Sequence, residues 1–233
     1  MTDKIKLDII SDVVCPWCII GYKRVVKAIS EMKIQDRVDI EWHPFELNPD
    51  MPAEGEEIHA HIARKYGTTL NESRQTLANM TILGAEMGFT FDFFDGMKMV
   101  NTFNLHILLD YAKESGKQTE FKMSLFDAFF NERKNVFDRK ILAQELQNIG
   151  LNESEGLMRL DDDIVRNQVL VQQSHWKNSG ISAVPTMIFN NSISLIGAQP
   201  VDVYKQELTS YLQGNISGPL ASALPISPRL TRK

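Results

Sequence analysis

The chain holds two cysteines, Cys15 and Cys18, and they stand three residues apart in Val14-Cys15-Pro16-Trp17-Cys18. If Cys15 opens a helix, both sulfurs lie on one edge of its first turn. Side chains at i and i+3 of a helix have Cβ atoms about 5–6 Å apart, and a disulfide wants Cα atoms about 4.4–6.8 Å apart. The pair can therefore close and reopen with little backbone movement, which is the geometry of a redox switch. A thiol at a helix N-terminus meets unpaired backbone N–H groups and the positive end of the macrodipole, both of which favour an anion. The spacing thus predicts a lowered pKa for Cys15, making it the catalytic nucleophile. Cys18, one turn further in and more enclosed, is the resolving thiol.

Plainer uses of two cysteines fit less well. A structural zinc site needs four ligands, and the chain has no second cysteine pair. Its histidines (His43, His59, His61, His106, His175) show no finger-like spacing, and His59 and His61 point to opposite sides of one helix. No metal is expected. A static disulfide closing so short a loop would remove little chain entropy.

The elements around the pair support a positioned thiol. Lys4 to Ser11 alternates well enough for a strand, Pro16 suits the first helical position, and Ile19 to Met32 carries apolar residues at helical spacing. Asp36 to His43 alternates again as a second strand that Pro44 stops, giving a βαβ unit with a parallel pair. From Glu54 to about Asp161 the signals are almost all helical: Glu56 to Tyr66, Asn71 to Met87, Thr102 to Ser115, Thr119 to Asn131 and Asp138 to Ile149. Phe89 to Phe93 forms a short extended connector among them. A long amphipathic helix follows from about Asp162 to Asn178. Then Val184 to Phe189, an Asn190-Asn191 turn and Ser192 to Ile196 read as a hairpin, and Val201 to Leu212 is the last helix. The methionines of the helical block (Met80, Met87, Met97, Met99) read as core fillers.

Composition sets the class. At 233 residues and 43% hydrophobic, the chain can bury roughly 70% of the surface it exposes unfolded and needs no disulfide scaffold. A net charge of -5 without an arginine-rich run argues against a nucleic-acid partner held by phosphate neutralisation. The start leads into a charged strand with no apolar h-region, and no stretch approaches about 18 uninterrupted apolar residues. The expectation is a soluble protein of a reducing compartment, the cytoplasm, without a membrane partner, where cysteine pairs are more often catalytic than structural.

A strand leading to C-x-x-C at a helix start, with Val-Pro opening a later hairpin, resembles the thioredoxin fold, and the helical block after the second strand resembles the DsbA family. The chain looks most like its FrnE-like, or 2-hydroxychromene-2-carboxylate isomerase-like, branch. The matching segments are Ser11 to Cys18, Trp42 to Pro49, Asn101 to His106, Gly180 to Thr186 and Gly197 to Pro200. The fold class implied is α/β, a thioredoxin-like fold with an inserted all-helical domain. Residues 1–46 and 161–213 would form the discontinuous thioredoxin-like domain, 47–160 the helical insertion, and 214–233 a flexible tail.

The resemblance also implies that the Val184–Pro185 peptide is cis and faces the cysteines. Trp17, Val184, Pro185, Asn101 and His106 are then candidate substrate-binding residues. Two departures stand out. Thioredoxin-like proteins commonly carry a buried carboxylate six residues before the first cysteine, whereas this chain has Ile9; Asp8 should face the other way, and Asp12 is the next acid along. Ala183 replaces the glycine that relatives often carry before Val-Pro.

The activity implied is a protein disulfide oxidoreductase acting on protein or small-molecule thiols and disulfides. It would need no cofactor beyond the Cys15–Cys18 disulfide, with glutathione as an open co-substrate. Two alternatives remain: a glutathione-dependent isomerase or transferase, whose relatives usually carry serine where Cys15 stands, and a redox-sensing binding module. Neither substrate nor oligomeric state is legible.

Overall fold

The computed structural model describes residues 4–214; all but the first residue of the expected tail, 214–233, lies outside them. In chain order the elements are β1 (Ile5–Ser11), α1 (Pro16–Glu31), β2 (Val38–Pro44), β3 (Glu56–Glu57), α2 (Ile58–Tyr66), α3 (Leu70–Glu86) and β4 (Lys98–Met99). Next come α4 (Phe103–Glu114), α5 (Gln118–Phe130), α6 (Arg139–Asn148), α7 (Glu153–Arg159) and α8 (Asp163–Asn178). The chain then forms β5 (Thr186–Phe189), β6 (Ile193–Ile196) and α9 (Val201–Leu212). Two compact units result: residues 4–45 together with 172–214, and Glu46–Val171.

The first unit is built on a four-stranded sheet of order β2-β1-β5-β6. β1 pairs in parallel with β2 from Ile5↔Val38 to Ser11↔Pro44, and the β5–β6 hairpin adds antiparallel to β1. Ile5, Leu7, Ile9 and Ile10 are all enclosed, because a strand covered on both faces is apolar on both. The hairpin turns where Asn190 and Asn191 both take positive φ, 46° and 55°, the conformation of a type I′ turn and one that asparagine tolerates. α1 and α9 pack together, and Arg24 of α1 donates to the Ala198 carbonyl at 2.6 Å. The end of α8 brings Trp176 against His43 of β2, with ring centroids 4.7 Å apart.

The second unit holds α2 to α7, the opening turns of α8 and a two-stranded antiparallel ladder, Glu56↔Met99 and Glu57↔Lys98. Its helices α3, α6 and α7 start where side chains satisfy free N–H groups: Thr69 and Glu72 form a reciprocal capping box at α3, while Asp138 and Asn152 cap α6 and α7. The segment expected as an extended connector supplies Phe89, Phe91 and Phe93, which pack edge-on against Phe130 at 5.1–6.4 Å.

The division falls inside α8 rather than at its start. The early turns of α8 belong with the helices: Arg166 donates to the Asn104 side chain at 3.3 Å and to the Leu160 carbonyl at 2.8 Å, and lies over Phe103. Its last turn carries Trp176 in the sheet unit.

Candidate active site

Cys15 is the N-cap of α1, in extended backbone conformation (φ -98°, ψ 109°), and Pro16 follows it. The Cys15 N–H reaches the Asp12 carbonyl at 3.4 Å, and the Cys18 N–H donates to the Cys15 carbonyl at 3.0 Å. This tight turn sets both side chains on the same edge of the helix. The two thiols are not bonded to each other. Cys18 is fully enclosed, while Cys15 keeps 4% exposure.

Facing the pair is the turn that enters β5. The Val184–Pro185 peptide is cis, and Val184 lies just outside the β1–β5 ladder, which begins at Thr186. The Cys15 thiol points at the Val184 carbonyl oxygen, 3.8 Å away. The turn is pinned by the Gly197 N–H on the Pro185 carbonyl at 2.7 Å and by the Thr186 hydroxyl on the Ala183 carbonyl at 2.7 Å. α1 runs close beneath it: a Cβ on Gly21 would come within 3.0 Å of Pro185 Cγ.

The electrostatics of Cys15 differ from the sequence expectation. Hydrogen bonding between the two sulfurs, burial, and the charges of Cys18 and Asp12 push the Cys15 thiol well above its ordinary range, and only the Cys18 backbone N–H pulls it down. One N–H group cannot offset a neighbouring sulfur, a wholly buried acid and the loss of water. Asp12 itself is completely enclosed. Beside the helix, Tyr204 is wholly buried; burial raises its phenol, which faces the Arg24 and Cys18 charges, and it stays protonated.

Ile9, where relatives carry the buried acid, is enclosed and apolar. Asp8 turns to the face of His43 and is 1% exposed: its Oδ1 meets His43 Nε2 at 2.6 Å and Lys6 Nζ at 2.9 Å. Burial alone would raise its pKa, but the hydrogen bonds from His43 and Lys6 outweigh it and hold the carboxyl low. Asp8, Glu41 and His43 bring potential ligand atoms within 4.8 Å of one another. Lys6, 3.4 Å from Glu41, already supplies the cation there. This cluster was not read from the sequence, although its signal is the parallel register that sets Asp8 beside Glu41 and Ile10 beside His43.

The structure therefore brings Cys15, Cys18, Val184 and Pro185 together. Trp17, between the cysteines, is half-buried. Asn101 and His106 belong to the helical unit. There the Asn101 amide donates to Glu46 and to the Pro49 carbonyl at 3.3 and 3.2 Å and accepts from the Phe103 N–H at 3.0 Å, tying the segment after β2 to the start of α4. His106 is buried on α4.

Among proteins of known sequence, YwbO of Bacillus subtilis is 27% identical over 215 residues, spanning 88% of this chain and 96% of its own. A solved structure described as a probable DsbA oxidoreductase of Streptomyces coelicolor superposes with a TM-score of 0.85 at 25% identity, covering 97% of each chain. The cytosolic disulfide reductase DsbM of Pseudomonas aeruginosa, also solved with glutathione, shares the fold with a TM-score of 0.61 at 14% identity over 89% of this chain and 98% of its own. The model of the DSBA-like thioredoxin domain matches residues 6–209. That match runs from β1 through both cysteines, the helical unit and the Val-Pro turn into α9, and the chain belongs to the DSBA-like thioredoxin domain family.

Proposed function

We propose that the protein is a cytoplasmic thiol–disulfide oxidoreductase of the FrnE-like branch in which Cys15 attacks and Cys18 resolves. The observation that carries this is the adjacency of an N-capping thiol, Cys15, to a second thiol one turn on and to the Val184 carbonyl. Cys15, as thiolate, attacks one sulfur of a substrate disulfide; a mixed disulfide forms and the other substrate sulfur leaves as a thiolate that takes up a proton. Cys18 then loses its proton and attacks the Cys15 sulfur, releasing the second substrate thiol and leaving the Cys15–Cys18 disulfide. Two electrons pass to the substrate, and a thiol donor of the glutathione class restores the dithiol by the reverse exchange. The backbone of Val184 holds an extended substrate segment beside the sulfur by strand-like hydrogen bonds, with Trp17 as a flat apolar contact.

The raised Cys15 thiol supports the reducing direction. A dithiol is a strong oxidant when its thiolate is stabilised, and here the neighbours of Cys15 disfavour its thiolate. The name of DsbM, a cytosolic disulfide reductase that was solved with glutathione, agrees with that direction, compartment and donor. Turnover of a low-molecular-weight disulfide with glutathione as reductant tests the proposal: wild type should turn over and Cys15→Ser should not. Undiminished turnover in Cys15→Ser would refute it.

A further inference from the structure

Far along the helical unit from the chemistry of the cysteines in sequence, a cavity of about 310 Å³ opens between the β3–β4 ladder and the segment after α5. Its volume is at the lower end of the range for small-molecule sites, and it opens within one compact unit. Its floor is apolar and aromatic, formed by Phe94, Met97, Val100, Phe129 and Phe137. Met97, Val100 and Phe129 are themselves buried.

Beside one acid, Glu54, three cations stand around this floor: Lys98, Arg133 and Lys134. Two are neutralised by acids. Arg133 grips Asp92 with two hydrogen bonds of 2.6 and 2.8 Å, and Lys134 meets Glu132 at 2.6 Å and Glu145 at 2.7 Å. Lys98 differs. Its ammonium donates to the Glu54 backbone carbonyl at 2.9 Å and takes part in no ion pair among the described residues. A carbonyl orients this exposed charge without cancelling it. Arg133 holds a left-handed backbone (φ 56°), and its guanidinium lies 4.8 Å from the Phe94 ring centre, within cation–π range of that ring.

We propose that this cavity binds a small amphipathic carboxylate, its apolar body on the aromatic floor and its carboxylate on Lys98. An apolar neutral molecule would leave the lysine unused, and a small inorganic anion would leave the floor wet; only a molecule with both parts fits both features. A volume near the bottom of the usual range limits the guest to on the order of ten non-hydrogen atoms.

The test uses the full-length protein with 4-phenylbutanoate and its neutral analogue 4-phenylbutanamide, titrated by calorimetry. Wild type should bind the acid saturably at one site and more tightly than the amide. Lys98→Gln should weaken the acid by about tenfold and leave the amide unchanged. Ala53→Trp, at an exposed position lining the cavity, should block both by filling the space, with an unaltered circular dichroism spectrum. Cys15→Ser should bind like wild type. Absence of saturable binding, equal affinity for acid and amide, indifference to Lys98→Gln, or loss of binding in Cys15→Ser would each overturn the proposal.

Discussion

The Cys15 sulfur lies 3.8 Å from the Val184 carbonyl oxygen, which places this thiol beside a backbone segment outside the β1–β5 ladder. In the proposed function a disulfide-bearing chain lined up along Val184 would deliver its sulfur to Cys15 by backbone contacts, which are common to every peptide. Such a site would discriminate little by side chain and accept many disulfides.

Removing the buried acid next to the pair should activate the thiol. The Asp12 charge is one of the causes that hold the Cys15 thiol up, so Asp12→Asn lowers its pKa and enlarges the thiolate fraction near neutral pH. Iodoacetamide modification of reduced Cys15 should speed up several-fold in the variant, with its pH midpoint moved to lower pH. An unchanged or slower rate would contradict the assigned field.

The reduction potential follows from the same balance. Thioredoxin lies at about -270 mV and DsbA at about -120 mV; burial and the Cys18 and Asp12 neighbours, which disfavour the Cys15 thiolate, favour a potential toward the first. Equilibration with glutathione buffers should give a midpoint below about -200 mV. A midpoint near that of DsbA would show that the thiolate is stabilised by something this account lacks.

Gly21 lets α1 pass under the Val184–Pro185 turn. A Cβ there would sit 3.0 Å from Pro185 Cγ and 3.4 Å from both the Ala198 backbone and the end of Met187, and Gly21→Val adds two further methyl groups. Overpacking of this kind costs about 1–3 kcal/mol. Because the strain falls on the turn facing Cys15, disulfide turnover should drop more steeply than stability does. Wild-type turnover in a folded Gly21→Val protein would mean that the turn's position is unimportant.

Acid should loosen the helical unit through Glu56. Its carboxyl is bound by Arg64 through two contacts of 2.7 Å and by His61 at 2.7 Å, and the Arg64 hydrogen bond leads the causes that lower its pKa to about 2. A folded value below the unfolded one means stability that is present above the ordinary carboxylate range and lost as pH falls towards 2. Because Arg64 is largely exposed, solvent screens this contribution. Urea melts between pH 6 and pH 2 should show this slope in wild type and a shallower one in Glu56→Gln; parallel slopes would remove Glu56 from the account.

Much of the fold was legible because long apolar stripes and caps repeat: α9 has the bounds its pattern gave, and the other long helices start or stop within a residue or two of theirs. What escaped has no period to show. The β3–β4 ladder is two residues per strand, and α7 is seven residues marked only by its Asn152 cap. At the site, residue types and spacing found the two sulfurs, and the resemblance to the DsbA family pointed to the Val-Pro turn. Residue types and spacing gave the wrong direction for the Cys15 pKa, because a helix N-terminus is visible in sequence while the mutual effect of two buried sulfurs and Asp12 exists only once the chain is folded. The Asp8–His43 contact was hidden for a related reason, since it joins residues 35 apart through strand register.

Trapping separates the roles of the two sulfurs. Cys18→Ser, mixed with an oxidised protein substrate, should accumulate a mixed disulfide that is released by reductant and maps to Cys15, because attack proceeds while resolution cannot. Cys15→Ser should accumulate none. Adducts forming on Cys18 in the Cys15→Ser protein, with none in Cys18→Ser, would contradict the account.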